Sequence, residues 1–223
     1  MLKICFEGNL LEFSDDEEEY MYLDEGAEGT VYRYGKDALK IYKGTCFRGR
    51  LDEEQCKKLG VISTKRVLLP REVIYGEDCK TFIGYATPFI YKYPCKRIMD
   101  MTVDRLVDEI DVIEEDLHVL ADNGVEIDDL HAGNILYNGQ IFIGDPGAMI
   151  FRNGVYSDWS FKNSRFTFNR FLKDDLFLYA KLTKKEKKNL ENRFDDFESY
   201  GLQIRDTMNS GETVKRYIKR MTR

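Results

Sequence analysis

The run Asp129-Leu130-His131-Ala132-Gly133-Asn134-Ile135-Leu136, followed by Gly144-Asp145-Pro146-Gly147, holds the residue types best suited to chemistry in this chain. An Asp five residues ahead of an Asn on a tight loop can divide two tasks. The Asp129 carboxylate can orient a hydroxyl and accept its proton, and the Asn134 amide oxygen can bind a divalent cation. Downstream, Ile135-Leu136-Tyr137 and Ile141-Phe142-Ile143 flank Asn138-Gly139, the strongest short hairpin signal a sequence carries. That hairpin returns the chain and delivers Asp145 beside Asn134. A carboxylate and an amide carbonyl that converge suit a hard Mg²⁺, with phosphate oxygens completing its shell. Each residue also has an ordinary reading (turn Asp, cap Asn, strand-ending Asp), but their order and spacing together are rarely met by chance.

A second group lies nearer the N-terminus. In Leu23-Asp24-Glu25-Gly26-Ala27-Glu28-Gly29-Thr30-Val31, Gly26 and Gly29 allow a backbone turn to approach a phosphate closely. Val31 would follow on a strand and face a base. Glycine pairs mark many plain hairpins too, so this segment alone does not decide. Lys40 comes nine residues after Val31, in Ala38-Leu39-Lys40. On a strand Ala38 and Lys40 share a face, which sets a small residue beside a base and an ammonium within reach of phosphates. A solvated surface Lys is the ordinary alternative.

The elements that must position these groups change character along the chain. Leu10 to Phe13 is a short apolar strand, and Ser14 to Glu19 an acidic turn. Val31–Tyr34 and Ala38–Tyr42 flank Gly35-Lys36-Asp37, and Arg71–Tyr75 and Thr81–Pro88 flank Gly76-Glu77-Asp78, which predicts two hairpins. Leu51 to Leu59 is charged and helical in character. From Thr102 to Asn123, Leu106, Ile110, Ile113, Leu117 and Leu120 fall at gaps of three and four and make one helical face. Thr102 is its expected N-cap and Gly124 its stop. The strand-rich part gives way to the helical part around Phe89 to Pro94, where a linker is expected. There is no internal repeat and no low-complexity segment.

Composition sets the outer limits. The 223 residues fit one large domain or two small lobes, and 43% hydrophobic content with 14 Tyr and 14 Phe excludes a disordered chain. The formal charge of -6 argues against a chain whose main work is gripping nucleic acid. Five widely spaced cysteines (Cys5, Cys46, Cys56, Cys79, Cys95) form no Cys-x-x-Cys pair, so neither a zinc site nor a disulfide framework is expected, and reduced thiols fit a cytoplasmic setting. Only His118 and His131 are present, which excludes a histidine-rich metal site. Glu7 interrupts the first apolar stretch, unlike a signal peptide, and no run approaches the roughly 20 apolar residues of a membrane span.

From Leu23 to Gly147 the ordered set of Gly-rich loop, strand Lys, Asp-x4-Asn loop and hairpin Asp resembles the protein-kinase-like superfamily. The resemblance implies an α+β, two-lobed fold, with an antiparallel-sheet N-lobe over residues 1–90 and a reduced helical C-lobe over 91–223. It implies that Asp129 is the catalytic base, that Asn134 and Asp145 bind Mg²⁺, and that Lys40 holds the α/β-phosphates of ATP. A helix Glu should pair with Lys40; Glu53 is chosen, with Glu54 as the alternative. Leu23, Val31, Ala38 and Leu136 would sandwich the adenine, Gly26 and Gly29 would cover the phosphates, and Phe89 and Ile90 would lie in the hinge.

Departures from the family pattern narrow the resemblance. Asp24 replaces the first loop Gly, Ile127-Asp128 the usual His-Arg, and Pro146 the usual Phe, and no Ala-Pro-Glu follows. With so few residues after Asp145, the chain resembles the minimal, atypical kinases of bacteria and their effectors. Asp-Leu-His-x-Gly-Asn instead resembles the branch containing aminoglycoside and choline kinases. The expected activity is Mg²⁺/ATP-dependent phosphoryl transfer to a protein Ser/Thr, with a small-molecule hydroxyl, a pseudokinase scaffold and AMP transfer as successive rivals. A protein substrate and no nucleic-acid partner are expected, with a host-cytosol location for an effector. The aromatics Phe151, Tyr156, Trp159, Phe161, Phe166 and Phe168 should fill the reduced C-lobe, and Lys184–Lys188 and Lys215–Arg223 should be solvated helix faces.

Overall fold

The computed structural model describes residues 2–13, 20–44, 50–145, 149–152, 157–176, 181–193 and 200–223. The acidic run Ser14–Glu19, Cys46, Pro146-Gly147 and Tyr156 lie outside the described residues. The chain divides into two compact units, Met1–Ser63 with Leu68–Ile90, and Thr64–Val67 with Tyr91–Arg223.

The first unit is a seven-stranded antiparallel sheet with one helix. Its strands are β1 (Leu2–Phe6), β2 (Asn9–Phe13), β3 (Tyr20–Glu25), β4 (Gly29–Tyr34), β5 (Asp37–Tyr42), β6 (Glu72–Gly76) and β7 (Phe82–Pro88), ordered β2-β1-β6-β7-β5-β4-β3. Strand alternation sorts the faces. On β5, Asp37, Leu39 and Ile41 are buried and Ala38, Lys40 and Tyr42 are half-buried. Leu39 and Ile41 pack with Ile4, Phe6, Leu11, Phe13, Ile74 and Ala86. Lys40 and Ala38 therefore stand on the face away from that core. The expected hairpins form, and β1 joins β2 through Glu7 and Gly8 at φ 49° and 76°. A Glu in the first left-handed position is no hairpin signal, which is why β1 was not legible.

Helix α1 (Glu53–Gly60) starts at a capping box, Asp52 with Gln55, and buries Cys56 and Leu59. Burial pushes the Cys56 thiol up to about 12. Cys5 and Cys79 are joined in a disulfide with Cα atoms 5.2 Å apart. This corrects the expectation of wholly reduced thiols. Pairing of β1 with β6 sets Cys5 opposite Tyr75 and so beside the β6–β7 turn. Sequence spacing carries no trace of that proximity.

The second unit is built on α2 (Val103–Asp122), whose Thr102 hydroxyl caps Arg105 N–H as expected. Around it stand β8 (Val125–Ile127), β9 (Ile135–Tyr137), β10 (Ile141–Ile143), β11 (Met149–Phe151) and α3 (Ser157–Arg170). Then follow α4 (Lys184–Arg193), α5 (Tyr200–Thr207) and α6 (Val214–Met221). Strands β9 and β10 form the Asn138-Gly139 hairpin with Ile135 opposite Ile143, and β8 pairs with β11. Of the expected aromatics, Phe168 is buried and Phe151 and Phe161 half-buried, while Trp159 and Phe166 are 48% and 41% exposed, so only part of that set fills the core.

Two buried carboxylates of α2 hold the strap Thr64–Val67. The Asp116 carboxylate accepts the backbone N–H groups of Lys65, Arg66 and Val67 at 2.9, 2.5 and 3.0 Å. Glu109 accepts Arg66 Nε at 2.8 Å and Ile141 N–H at 3.1 Å. The Arg66 carbonyl in turn accepts Ile143 N–H at 2.8 Å. A buried acid is tolerated only when its oxygens are filled in this way.

Candidate active site

The loop from Asp128 to Asn134 is held from behind. Ile127 N–H donates to the buried Ser164 hydroxyl on α3 at 2.9 Å. The wholly buried Glu126 carboxylate accepts Arg152 Nε at 3.0 Å and Asn163 Nδ2 at 2.9 Å. That carboxylate raises the Arg152 guanidinium further above its ordinary range. Arg152 also lies 4.9 Å over the Trp159 ring. Leu130, 2% exposed, pins the middle of the loop, while Asp128, Asp129 and His131 stay exposed.

Within the loop the side chains fix one another. His131 Nδ1 accepts Gly133 N–H at 3.0 Å and starts the 3-10 turn Ala132–Asn134. Asn134 Nδ2 donates to the Asp129 carbonyl at 3.1 Å. With its NH₂ so engaged, the amide presents Oδ1 as an acceptor. The Asn134 carbonyl accepts Gly144 N–H at 2.7 Å, which sets Asp145 next to it in space. Asp145 itself has φ 52°, a left-handed conformation that turns the chain out of β10. Asp145 is exposed, and its carboxylate and the Asn134 amide oxygen are both oxygen donors. Such a pair fits Mg²⁺, which takes one or two carboxylate ligands and completes its shell with phosphate and water. Among the described residues no group of three or more His, Cys, Asp or Glu is placed to hold a metal ion. Leu136, half-buried on β9, lies against Gly144.

In the first unit, Val31 lies opposite Lys40, and Ala38 opposite Arg33, so Val31, Ala38 and Lys40 share one face. Lys40 Nζ pairs with Glu28 Oε2 at 2.8 Å and lies 5.9 Å over the Tyr85 ring. The expected Lys40–Glu53 pair is not formed. Glu53 accepts Tyr75 OH at 2.8 Å and Lys57 Nζ at 2.5 Å, and these bonds hold its carboxyl below the usual range. Glu54, the alternative, pairs with Lys58 at 2.7 Å. Both acids lie in the first turn of α1, where residues of the same helix reach them first.

The two loop glycines divide differently from the expectation. A Cβ on Gly29 would stand 2.4 Å from the Ile41 carbonyl, so Gly29 serves the close approach of β4 to β5. Gly26 has open space around it and donates its N–H to Gly29 O at 2.9 Å. Leu23 sits at the irregularity between Tyr22 and Asp24, and Asp24 caps Glu25 N–H. Phe89 donates its N–H to Lys36 O at 2.8 Å, and the Arg33 guanidinium lies over its ring. Sequence reasoning missed Glu28, Glu126, Asn163 and Ser164. Glu28 had a signal, since the β4–β5 hairpin brings residue 28 back toward Lys40; the others lie at long separations with none.

An antiparallel sheet with a single helix, and a helical unit bearing a loop and hairpin with Asp129, Asn134 and Asp145 in this order, define a protein-kinase-like α+β fold. Among solved structures, the chain is similar to the PknI kinase domain of Mycobacterium tuberculosis, with a TM-score of 0.52 and 11% identity over 95% of this chain and 98% of that one. No protein-family model and no curated protein matches the sequence. The likeness is therefore one of fold. Among the described residues no helix is long and apolar enough to cross a membrane.

Proposed function

We propose that this chain is an Mg²⁺/ATP-dependent phosphotransferase, an atypical minimal Ser/Thr protein kinase with an N-lobe over 1–90 and a C-lobe over 91–223. The observation that supports this reading best is the Asn134 amide, tied through Nδ2 to the Asp129 carbonyl, with the Asn134 backbone carbonyl bonded to the N–H of Gly144, the residue before Asp145. Asn134 and Asp145 would hold Mg²⁺, which supplies charge neutralisation to the transferring phosphoryl group. Asp129 orients the acceptor hydroxyl and takes its proton on a carboxylate oxygen. Lys40 binds the α/β-phosphates, and Val31 and Ala38, on its face of the sheet, pack against the base with Leu23 and Leu136. Catalysis then rests on positioning and charge rather than on covalent chemistry.

The Glu28 carboxylate on Lys40 favours a second reading, a nucleotide-binding scaffold whose phosphate-binding ammonium is already engaged. His131 favours a third, because it caps its own loop in the sequence Asp-Leu-His-x-Gly-Asn of small-molecule kinases. Incubation with γ-labelled and, separately, α-labelled ATP in a lysate decides among them. Label from the γ position in protein supports the protein kinase, and label in metabolites alone supports the small-molecule kinase. Label from the α position means nucleotidyl transfer. Binding without any label means the scaffold.

A further inference from the structure

Charge is unevenly divided along this chain. Residues 181–223 contain twelve Lys and Arg against seven Asp and Glu, a net of five positive, so the preceding residues carry a net of eleven negative. The fold gathers that positive charge. Helices α4 and α6 pack together, with Asn189 Nδ2 donating to the Thr222 carbonyl at 2.9 Å. Lys219 lies close enough to lower the Glu186 carboxyl, whose main partner is the Thr183 that begins α4. Lys184, Lys185, Lys187 and Lys188 are exposed on α4. Lys215, Arg216 and Lys219 are exposed on α6, with Arg223 just beyond it.

None of these eight forms an ion pair with a described residue. Exposed lysines elsewhere do, as Lys57 with Glu53, Lys58 with Glu54 and Lys65 with Glu115. The apolar residues of the pair, Leu190, Val214, Ile218 and Met221, are all buried. The face thus offers a peptide no apolar anchor of the kind that dominates protein interfaces. The one aromatic of α6, Tyr217, is fully buried, so these helices carry no stacking platform for bases among the described residues. Six of the eight cations are Lys, point charges on flexible stems rather than the planar forks that read phosphate or base edges bidentately. A dense, Lys-rich face without anchors suits a diffuse anionic surface, to which each cation adds a small, salt-sensitive attraction.

We propose that the α4–α6 face is a peripheral docking surface for anionic lipid membranes. The full chain should co-sediment with vesicles of phosphatidylcholine containing about 30% phosphatidylserine and leave pure phosphatidylcholine vesicles unbound. Binding should fall steeply between about 0.05 and 0.5 M salt, as expected for charges exposed at the scale of the Debye length. The variant K185E/K188E/K215E/K219E should bind the anionic vesicles at least about tenfold more weakly. Its ATP binding should be unchanged and its melting temperature close to that of the wild type, because among the described residues none of the four forms an ion pair. Equal binding to both vesicle types, undiminished binding by the folded variant, or tighter binding to a DNA duplex or to polyglutamate at the same salt would each overturn the proposal. Nucleotide and transfer assays in solution read the kinase reading separately, so the two can fail independently.

Discussion

The Lys40 face and the Asp129–Asp145 loop are held in place by different physics. On β5 the side chain of Lys40 is aimed by strand alternation, and its neighbours Val31 and Ala38 follow from the ladder register alone. In the loop, by contrast, the exposed acids depend on buried polar groups behind them: Glu126, Arg152, Asn163 and Ser164. A ladder tolerates change at any one residue, whereas a clamp of a few buried bonds does not. Damage should therefore be graded, large in the loop and its support and modest on the strand.

The largest effects belong to the acids themselves. Asp145→Ala should abolish label transfer, because it removes the full negative charge at the proposed cation site. Asp129→Ala should retain nucleotide binding and lose turnover by about 10²-fold or more, the scale of losing a general base. Wild-type turnover in Asp129→Ala would show that the loop has another register of function.

Next comes the clamp. Glu126→Ala strips Arg152 and Asn163 of their partner and should cost about 2 kcal/mol of stability, read as a lowered denaturation midpoint. Turnover should fall with it, while Glu126→Gln, which keeps an acceptor for Asn163, should recover part of both. If Glu126→Ala unfolds no earlier than wild type, the contrast between ladder and clamp is wrong.

On the strand the effects are smaller. Glu28→Gln removes the ion pair on Lys40, whose side chains are 12% and 34% exposed, and should tighten ATP binding by about fivefold, the worth of roughly 1 kcal/mol. Glu53→Ala should leave ATP binding nearly unchanged, since its partners are Tyr75 and Lys57. Weaker ATP binding in Glu53→Ala would point to a rearranged α1 in the nucleotide-bound state.

The smallest effect is a pH limb in the first unit. Asp78 accepts Thr81 Oγ at 2.6 Å and the N–H groups of Thr81 and Lys80, and these bonds hold its carboxyl at about 2. A depressed carboxyl contributes stability that is fully present above its unfolded value of 3.8 and is lost as pH falls from there toward about 2. Asp78→Asn should flatten that limb of an acid titration of stability. An unchanged slope would place the acid sensitivity elsewhere.

What was legible in the sequence follows the same division. The β9–β10 hairpin was readable because Asn138-Gly139 and its apolar flanks are local, and α2 because its apolar period and Thr102 cap are local. Gly29 was visible as a turn glycine but its close approach to β5 was not, since a glycine that admits a phosphate and one that admits a neighbouring strand look alike in sequence. The Cys5–Cys79 bond spans 74 residues and the Asp116 hydrogen bonds about 50, and no periodicity connects residues so far apart. The proposed trio Asp129, Asn134 and Asp145 could be named from spacing, while the residues that hold its loop could not.

The strap Thr64–Val67 belongs to the second unit but is synthesised within the first. A ribosome delivers every strand of the first sheet before Asp116 or Glu109 exists, so the segment between α1 and β6 must wait for a helix made some fifty residues later. Until then three backbone N–H groups have only water. A fragment cut at Ile90 would keep its strands and lose that anchor, and one begun at Tyr91 would bury the Asp116 carboxylate with its three donors gone. Ile90 is thus no place to divide the chain: the second unit completes itself with a segment made among the strands of the first.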